Sequence, residues 1–239
     1  MTHKLKTSHL LLGFLFALVP LGFLACAGSA NEHADEEETQ STEALAPPDP
    51  RMPLLDSAYN DLLRRCEADE PTDSIRPLLT DSSLLWIRDI ENAAATESRA
   101  ILENRPFNEE LSIVTYRTLQ RDNRLAGVRK DSLLYLSAGP NGLVHAVRTL
   151  ELGPFQIRNN RGSRGLATSP LVPIIFFQWV DNRWLLDVVA TMPVITRGME
   201  TVALKKNWTN SHTILYWLES SYRNQLKNPV DSTLLDPVN

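Results

Sequence analysis

Three arginines stand three residues apart in the stretch Ile157-Arg158-Asn159-Asn160-Arg161-Gly162-Ser163-Arg164-Gly165. Guanidinium groups bind phosphate and carboxylate through paired, charge-assisted hydrogen bonds, so a cluster of three suits an anion. The functional reading is an anion site for lipid headgroups or an acidic partner. The other reading is a solvated loop whose charges keep a sheet edge soluble. Gly162 and Gly165 are turn residues by chemistry, which places the cluster on a hairpin loop.

Other chemistry is limited by what the chain lacks. Of five histidines, His3, His9 and His33 precede residue 50, leaving His145, His212 and the thiol Cys66 beyond it. A three-histidine zinc site is therefore excluded there, and neither His-Glu-x-x-His nor Cys-x-x-Cys occurs. No Walker A sequence, Gly-x-Gly-x-x-Gly or Gly-x-Ser-x-Gly is present, so no metal or cofactor is expected. A Ser–His–acid triad would have to use His145 or His212, and His212 sits at a predicted helix start. Cys66 falls on an apolar stripe beside Glu67, Asp69 and Glu70. That setting describes a buried structural thiol, because a reactive one needs electropositive neighbours.

The charge is divided among three unlike segments. The chain has 239 residues, 24 Lys and Arg against 29 Asp and Glu, and a net charge of −5. Residues 1–25 carry Lys4 and Lys6 and no acid. Residues 26–50 carry seven acids (Glu32, Asp35, Glu36, Glu37, Glu38, Glu43 and Asp49) and no Lys or Arg. Residues 51–239 balance at 22 acids and 22 bases. No general excess of phosphate-neutralising charge exists, which argues against a nucleic-acid binder.

Lys4 and Lys6 precede an apolar run of 16 residues from Leu10 to Ala25, the pattern of a secretory signal in residues 1–25. A membrane-crossing helix needs about 20 apolar residues, so the run is short for a span. It ends in Gly22-Phe23-Leu24-Ala25-Cys26, which resembles the lipobox of bacterial lipoproteins. That resemblance implies lipidation of Cys26, attachment to a membrane through the N-terminal lipid, and removal of residues 1–25. Ordinary signal-peptidase cleavage remains the alternative, since Ala25, Ala27, Gly28 and Ala30 are all small. Ala27 follows the cysteine where inner-membrane lipoproteins commonly carry Asp, which favours an outer membrane if the organism has two. Two or more acyl chains give stable anchoring without a transmembrane helix. Residues 26–50, with their acids and the Pro47-Pro48-Asp49-Pro50 stop, read as an acidic disordered tether.

Residues 51–239 suit a single domain. Leu55, Tyr59, Leu62, Leu63 and Cys66 recur at helical spacing. A short helix follows Asp73, and a longer one starts at Asp81 or Ser82. The alternation of Leu111 to Leu119 predicts a strand, and Asp131 to Ala138 a short helix. Val144–Leu150 and Phe155–Asn159 read as strands. Ile174–Val180 and Trp184–Ala190, joined by Asp181-Asn182-Arg183, form the strongest hairpin signal. An amphipathic helix is expected over about 211–227. Helices followed by strands imply an α+β domain with helices on one face of an antiparallel sheet.

That order, and the stretch Phe176-Phe177-Gln178-Trp179-Val180-Asp181-Asn182-Arg183-Trp184-Leu185-Leu186-Asp187, resemble the nuclear-transport-factor-2-like (ketosteroid-isomerase-like) superfamily and its closing hairpin. The resemblance covers about 52–192. It implies a cystatin-like cone, in which a curved antiparallel sheet wraps N-terminal helices, here with an extra C-terminal helix. It also implies a pocket at the open end. Within it, Asp89, Tyr116 on the first strand and Asp187 on the last are the acid–base candidates, and Tyr59 is an oxyanion donor. The leading expectation is a non-catalytic envelope protein binding a small apolar ligand or another envelope protein. An isomerase- or hydratase-like enzyme using the pocket is the alternative. An assembly role would instead put Trp217 or Tyr222 at a protein contact.

Overall fold

The computed structural model describes residues 49–68, 72–122, 150–222 and 226–238. Leu55, Tyr59 and Leu62 form the buried face of the first helix, α1 (Met52–Glu67). A single helical turn, α2 (Thr72–Ile75), runs into a 3-10 turn at Arg76–Leu78. Helix α3 (Asp81–Thr96) is capped by Thr80, whose side chain accepts from Ser83 N at 3.2 Å. After α4 (Arg99–Leu102), Pro106 opens α5 (Phe107–Arg121), whose buried positions cover most of its circumference. Four strands follow: β1 (Leu152–Arg158), β2 (Arg161–Leu166), β3 (Ser169–Val180) and β4 (Arg183–Leu186). They form an antiparallel meander in sequence order. Helices α6 (Val188–Lys206) and α7 (Asn210–Tyr222) come next, then a 3-10 turn at Ser232–Leu235. The architecture is α+β, as helices followed by strands imply.

Pairing register decides which side chains share a face of the sheet. Phe155 stands opposite Arg164, Gly162 opposite Phe177, Phe177 opposite Leu186 and Trp179 opposite Trp184. This face meets α1, with the Tyr59 ring edge-on to Phe155 at 5.4 Å and to Phe177 at 6.3 Å. Gly162 permits the approach, because a Cβ there would lie 2.5 Å from Leu55 Cδ2. Burying each of these large apolar side chains stabilises the fold by about 1.5–3 kcal/mol. The open edge of β4 is covered by the segment leading into α3. Leu79 bridges Leu186 in parallel, and Thr80 N donates to Leu186 O at 3.1 Å.

Away from the sheet, α5 packs among α3, α6 and α7. Its Arg117 is 0% exposed, yet each guanidinium N–H finds a carbonyl. Nε donates to Ala94 O at 2.9 Å, and one terminal nitrogen to Ala93 O at 3.2 Å and Glu97 O at 2.5 Å. The other donates to Leu234 O at 3.3 Å and Leu235 O at 2.7 Å. Three of these acceptors, on Ala93, Ala94 and the cap residue Glu97, lie at the C-terminal end of α3, where the helix dipole favours a cation. Ala93 O also accepts from Glu97 N at 2.9 Å. Burial pulls the guanidinium below its ordinary pKa, opposed by the charges of Asp236 and Glu97.

Several sequence expectations are corrected. Leu111–Leu119 lies inside α5 and is helical, so Tyr116 is on a helix and not on a first strand. The last strand ends at Leu186, because Asp187 caps α6 with its Oδ1 accepting from Ala190 N at 3.0 Å. The arginine stretch is not a loop: Arg161–Leu166 is strand β2, and the turn is Asn159-Asn160, with φ of 56° at Asn159. Helix α7 ends at Tyr222 among the described residues, short of 227. The helix expected at 131–138, the strand expected over most of 144–150, His145 and the Cys66 side chain lie outside the described residues.

Arg117→Met removes the cation and leaves the buried carbonyls of Ala94, Leu234 and Leu235 without this donor, at about 1–3 kcal/mol for a buried polar group left unsatisfied. Urea unfolding should show that loss for Arg117→Met, and a change within about 0.5 kcal/mol for the exposed Arg158→Gln.

Candidate functional site

The arginine stretch is divided by the pleat. Arg164 lies on the α1 face, its guanidinium carbon 5.3 Å from the Tyr59 ring and 5.0 Å from the Phe155 ring. Its Nε donates to Gly153 O. Arg158 and Arg161 are direct cross-strand partners and project from the opposite face, with Arg161 5.3 Å from the Phe176 ring. Alternation along β4 adds Arg183 to that second face, since Trp184 points to α1. Arg158, Arg161 and Arg183 are exposed, and among the described residues none has an ion pair. Sequence spacing missed Arg183 because it is remote in the chain, while the hairpin turn at Asp181-Asn182 brings it to the same end of that face.

Most other arginines are neutralised. Arg51 pairs with Asp49 at 2.8 Å and lies over the Trp179 and Trp184 rings at 5.7 and 5.6 Å. Arg64 and Arg65 share Asp61, and Arg121 meets Asp231 at 3.3 Å. Arg105 is held by Glu97 at 2.6 Å and by Asp89 and Glu109 at 2.8 Å. The Glu97 hydrogen bond raises its pKa most, with Asp89 and Glu109 adding to the rise against the cost of burial.

The four acid–base candidates sit on four different elements. Tyr59 is on α1, its ring packed in the aromatic cluster against the sheet. Asp89, on α3 and 57% exposed, is the partner of Arg105. Tyr116 is half-buried on α5 and packs against the core. Asp187 is the cap of α6, and its carbonyl accepts from Thr191 Oγ1 at 2.6 Å. The face of the sheet on which a cone pocket was expected holds Phe155, Ile175, Phe177, Trp184 and Leu186, all buried. A cleft of about 320 Å³ lies elsewhere, between the end of α7 and residues 226–230, lined by Glu219, Tyr222, Lys227 and Pro229 among others. None of the four candidates lines it.

The remaining expectations are placed as follows. His212 is exposed in the first turn of α7, beside Trp208 at 4.6 Å between ring centroids. Trp217 and Tyr222 pack against the core, and Tyr216 is the exposed aromatic of that helix. Among the described residues no group of three or more His, Cys, Asp or Glu could hold a metal. No described helix is long and apolar enough to cross a membrane.

Glu110 was overlooked in the sequence. It is 0% exposed in the first turn of α5, and its Oε1 accepts from Ser211 Oγ at 2.5 Å, at the start of α7. Its Oε2 is buried without a hydrogen bond among the described residues. Burial raises its pKa above the ordinary carboxyl value; Glu103's charge adds to this, while Ser211 and Asn210 oppose it. The arrangement ties α5 to α7, and nothing in it converges with the four candidates.

No protein-family model, curated protein or solved structure matches the chain.

The sign of the Glu110 shift sets a pH dependence. The folded state holds the proton to higher pH than the unfolded state does. Glu110 therefore makes stability fall as pH rises from the ordinary carboxyl range through the raised value. Glu110→Gln keeps an acceptor for Ser211 and should remove that component, giving a chain at least as stable as wild type at pH 7. Glu110→Ala leaves Ser211 without its acceptor and should cost about 1–3 kcal/mol. Chemical unfolding from pH 4 to pH 8 distinguishes the three.

Proposed function

We propose that the chain is a lipid-anchored protein of the bacterial cell envelope, whose α+β domain is a non-catalytic binding module at the end of an acidic tether. The observation that carries this reading is the sequence from Leu10 to Cys26, an apolar run behind two lysines and closed by Leu-Ala-Cys. Seven acids and no Lys or Arg in residues 26–50 support a solvated spacer. The engagement of Asp89 and Asp187 in a salt bridge and a helix cap supports binding over catalysis. The nuclear-transport-factor-2-like cone belongs to the same proposal. Its support is the helices-then-meander order and the passage of α1 across the sheet, touching β1 and β4. With the α1 face filled by aromatic side chains, and Phe176 and Leu185 on the other face buried, binding is assigned to the exposed end of that second face, where Arg158, Arg161 and Arg183 stand.

Globomycin, which blocks removal of the lipoprotein signal, tests the anchor. Cells expressing the full chain should accumulate a lipidated precursor, and Cys26→Ser should leave the protein without incorporated fatty acid. A chain of unchanged mobility under globomycin, or a Cys26→Ser chain that still incorporates labelled fatty acid, contradicts the anchor.

A further inference from the structure

We infer that Arg158, Arg161 and Arg183 form a docking surface for the phosphate headgroups of anionic phospholipids. The inference rests on the lipid-anchored reading, which keeps a membrane within reach of the domain. Arg158 and Arg161 are direct cross-strand partners, so their Cβ atoms stand about 5 Å apart on one face. In the row they share, Arg161 stands opposite Gln178 and Gln178 opposite Leu185. Arg183 is two residues from Leu185 on the same face, two strands from Arg161 and about 12 Å from it by ideal strand spacing, so it widens the patch along the end of the sheet. Arg158, Arg161 and Arg183 are exposed and lack ion pairs among the described residues, whereas Asp49, Asp61, Glu97 and Asp231 occupy other arginines. Asp181, in the adjoining turn, is not ion-paired with them.

Location supplies the second argument. The three arginines lie next to the turns Asn159-Asn160 and Asp181-Asn182, at one end of the sheet. The chain enters the domain at that same end. Arg51, at the junction with the acidic segment, donates to Asn159 O at 2.7 Å and to Asn160 Oδ1 at 3.2 Å. Trp184 Nε1 donates to Arg51 O at 3.2 Å, fixing the junction against β4. The end of the domain nearest its tether therefore carries three cations without ion pairs among the described residues. The seven acids of residues 26–50 are repelled by an anionic surface, so attraction at this end has to come from the arginines.

The test uses residues 26–239 with Cys26→Ser, sedimented with vesicles of phosphatidylcholine alone or mixed equally with phosphatidylglycerol. Each arginine near an anionic surface strengthens binding about fivefold, and three together on the order of a hundredfold. Binding should require phosphatidylglycerol, weaken with added salt, and drop about a hundredfold in Arg158→Gln/Arg161→Gln/Arg183→Gln. Arg88→Gln/Arg197→Gln, which removes exposed arginines elsewhere, should lose far less. Circular dichroism and an unchanged urea midpoint confirm that the triple variant is folded. Equal binding by wild type and triple variant overturns the inference. So does binding to soluble polyglutamate without binding to the vesicles, which would assign the surface to an acidic polypeptide. Because the chain tested carries no lipid, its failure is separable from a failure of the globomycin experiment.

Discussion

One buried cation organises the helical half of the domain. Moving a guanidinium out of water costs several kcal/mol, so Arg117 is tolerable only where all its donors are met. Five backbone carbonyls from α3, its C-cap residue and the 3-10 turn meet them. This demand fixes geometry: the end of α3, the middle of α5 and residues 234–235 must converge within a few ångströms. Arg99 N and Arg121 then fasten the same C-terminal segment through Asp236 Oδ1 at 2.9 Å and Thr233 Oγ1 at 2.9 Å. Leu234 and Leu235, buried beside Arg117, complete the core from the far end of the chain.

The helices before residue 100 and the hairpin of β3 and β4 were legible because local pattern and tertiary role agree there. Leu55, Tyr59 and Leu62 are apolar at helical spacing and buried, and Asp181-Asn182 adopts positive φ of 46° and 61° as a tight hairpin turn requires. Helix α5 was misread because its β-branched residues Ile113, Val114, Thr115 and Thr118 favour strands, and because Arg117 breaks the apolar stripe. The stripe is complete once Arg117 is counted as an interior residue, which only its tertiary carbonyl partners allow. Helix α6 was hidden by Pro193 inside it and by Val188-Val189, which look like the end of a strand. Its Asp187 cap was the available signal, followed at the other end by Asn207 in the left-handed conformation at φ of 52°.

The candidate site was legible as chemistry but not as placement. Spacing by three looked like one cluster on a loop, but the Asn159-Asn160 turn sets Arg158 beside Arg161 on one face, and three residues along β2 put Arg164 on the other. Arg164 consequently becomes part of an aromatic packing arrangement, while Arg158 and Arg161 remain in solvent. The neutral balance of residues 51–239 conceals an uneven distribution. Acids are spent on Arg51, Arg65, Arg105 and Arg121, while Arg158, Arg161 and Arg183, at the end of the sheet near Arg51, have no ion pair among the described residues. The tyrosines and aspartates offered as candidates for a pocket are distributed over packing, capping and salt-bridge roles, which is why the proposed function rests on surface and anchor.

The dependence of the helical layer on the Arg117 clamp is open to direct measurement by native-state hydrogen exchange. The clamp predicts that the amides of Leu234 and Asp236, together with those in the last turn of α3, exchange only through the global unfolding that also exposes α5. Early exchange at residues 234–236, with α3 and α5 still protected, would contradict the account, because the C-terminal turn would then be an accessory and not a member of the core.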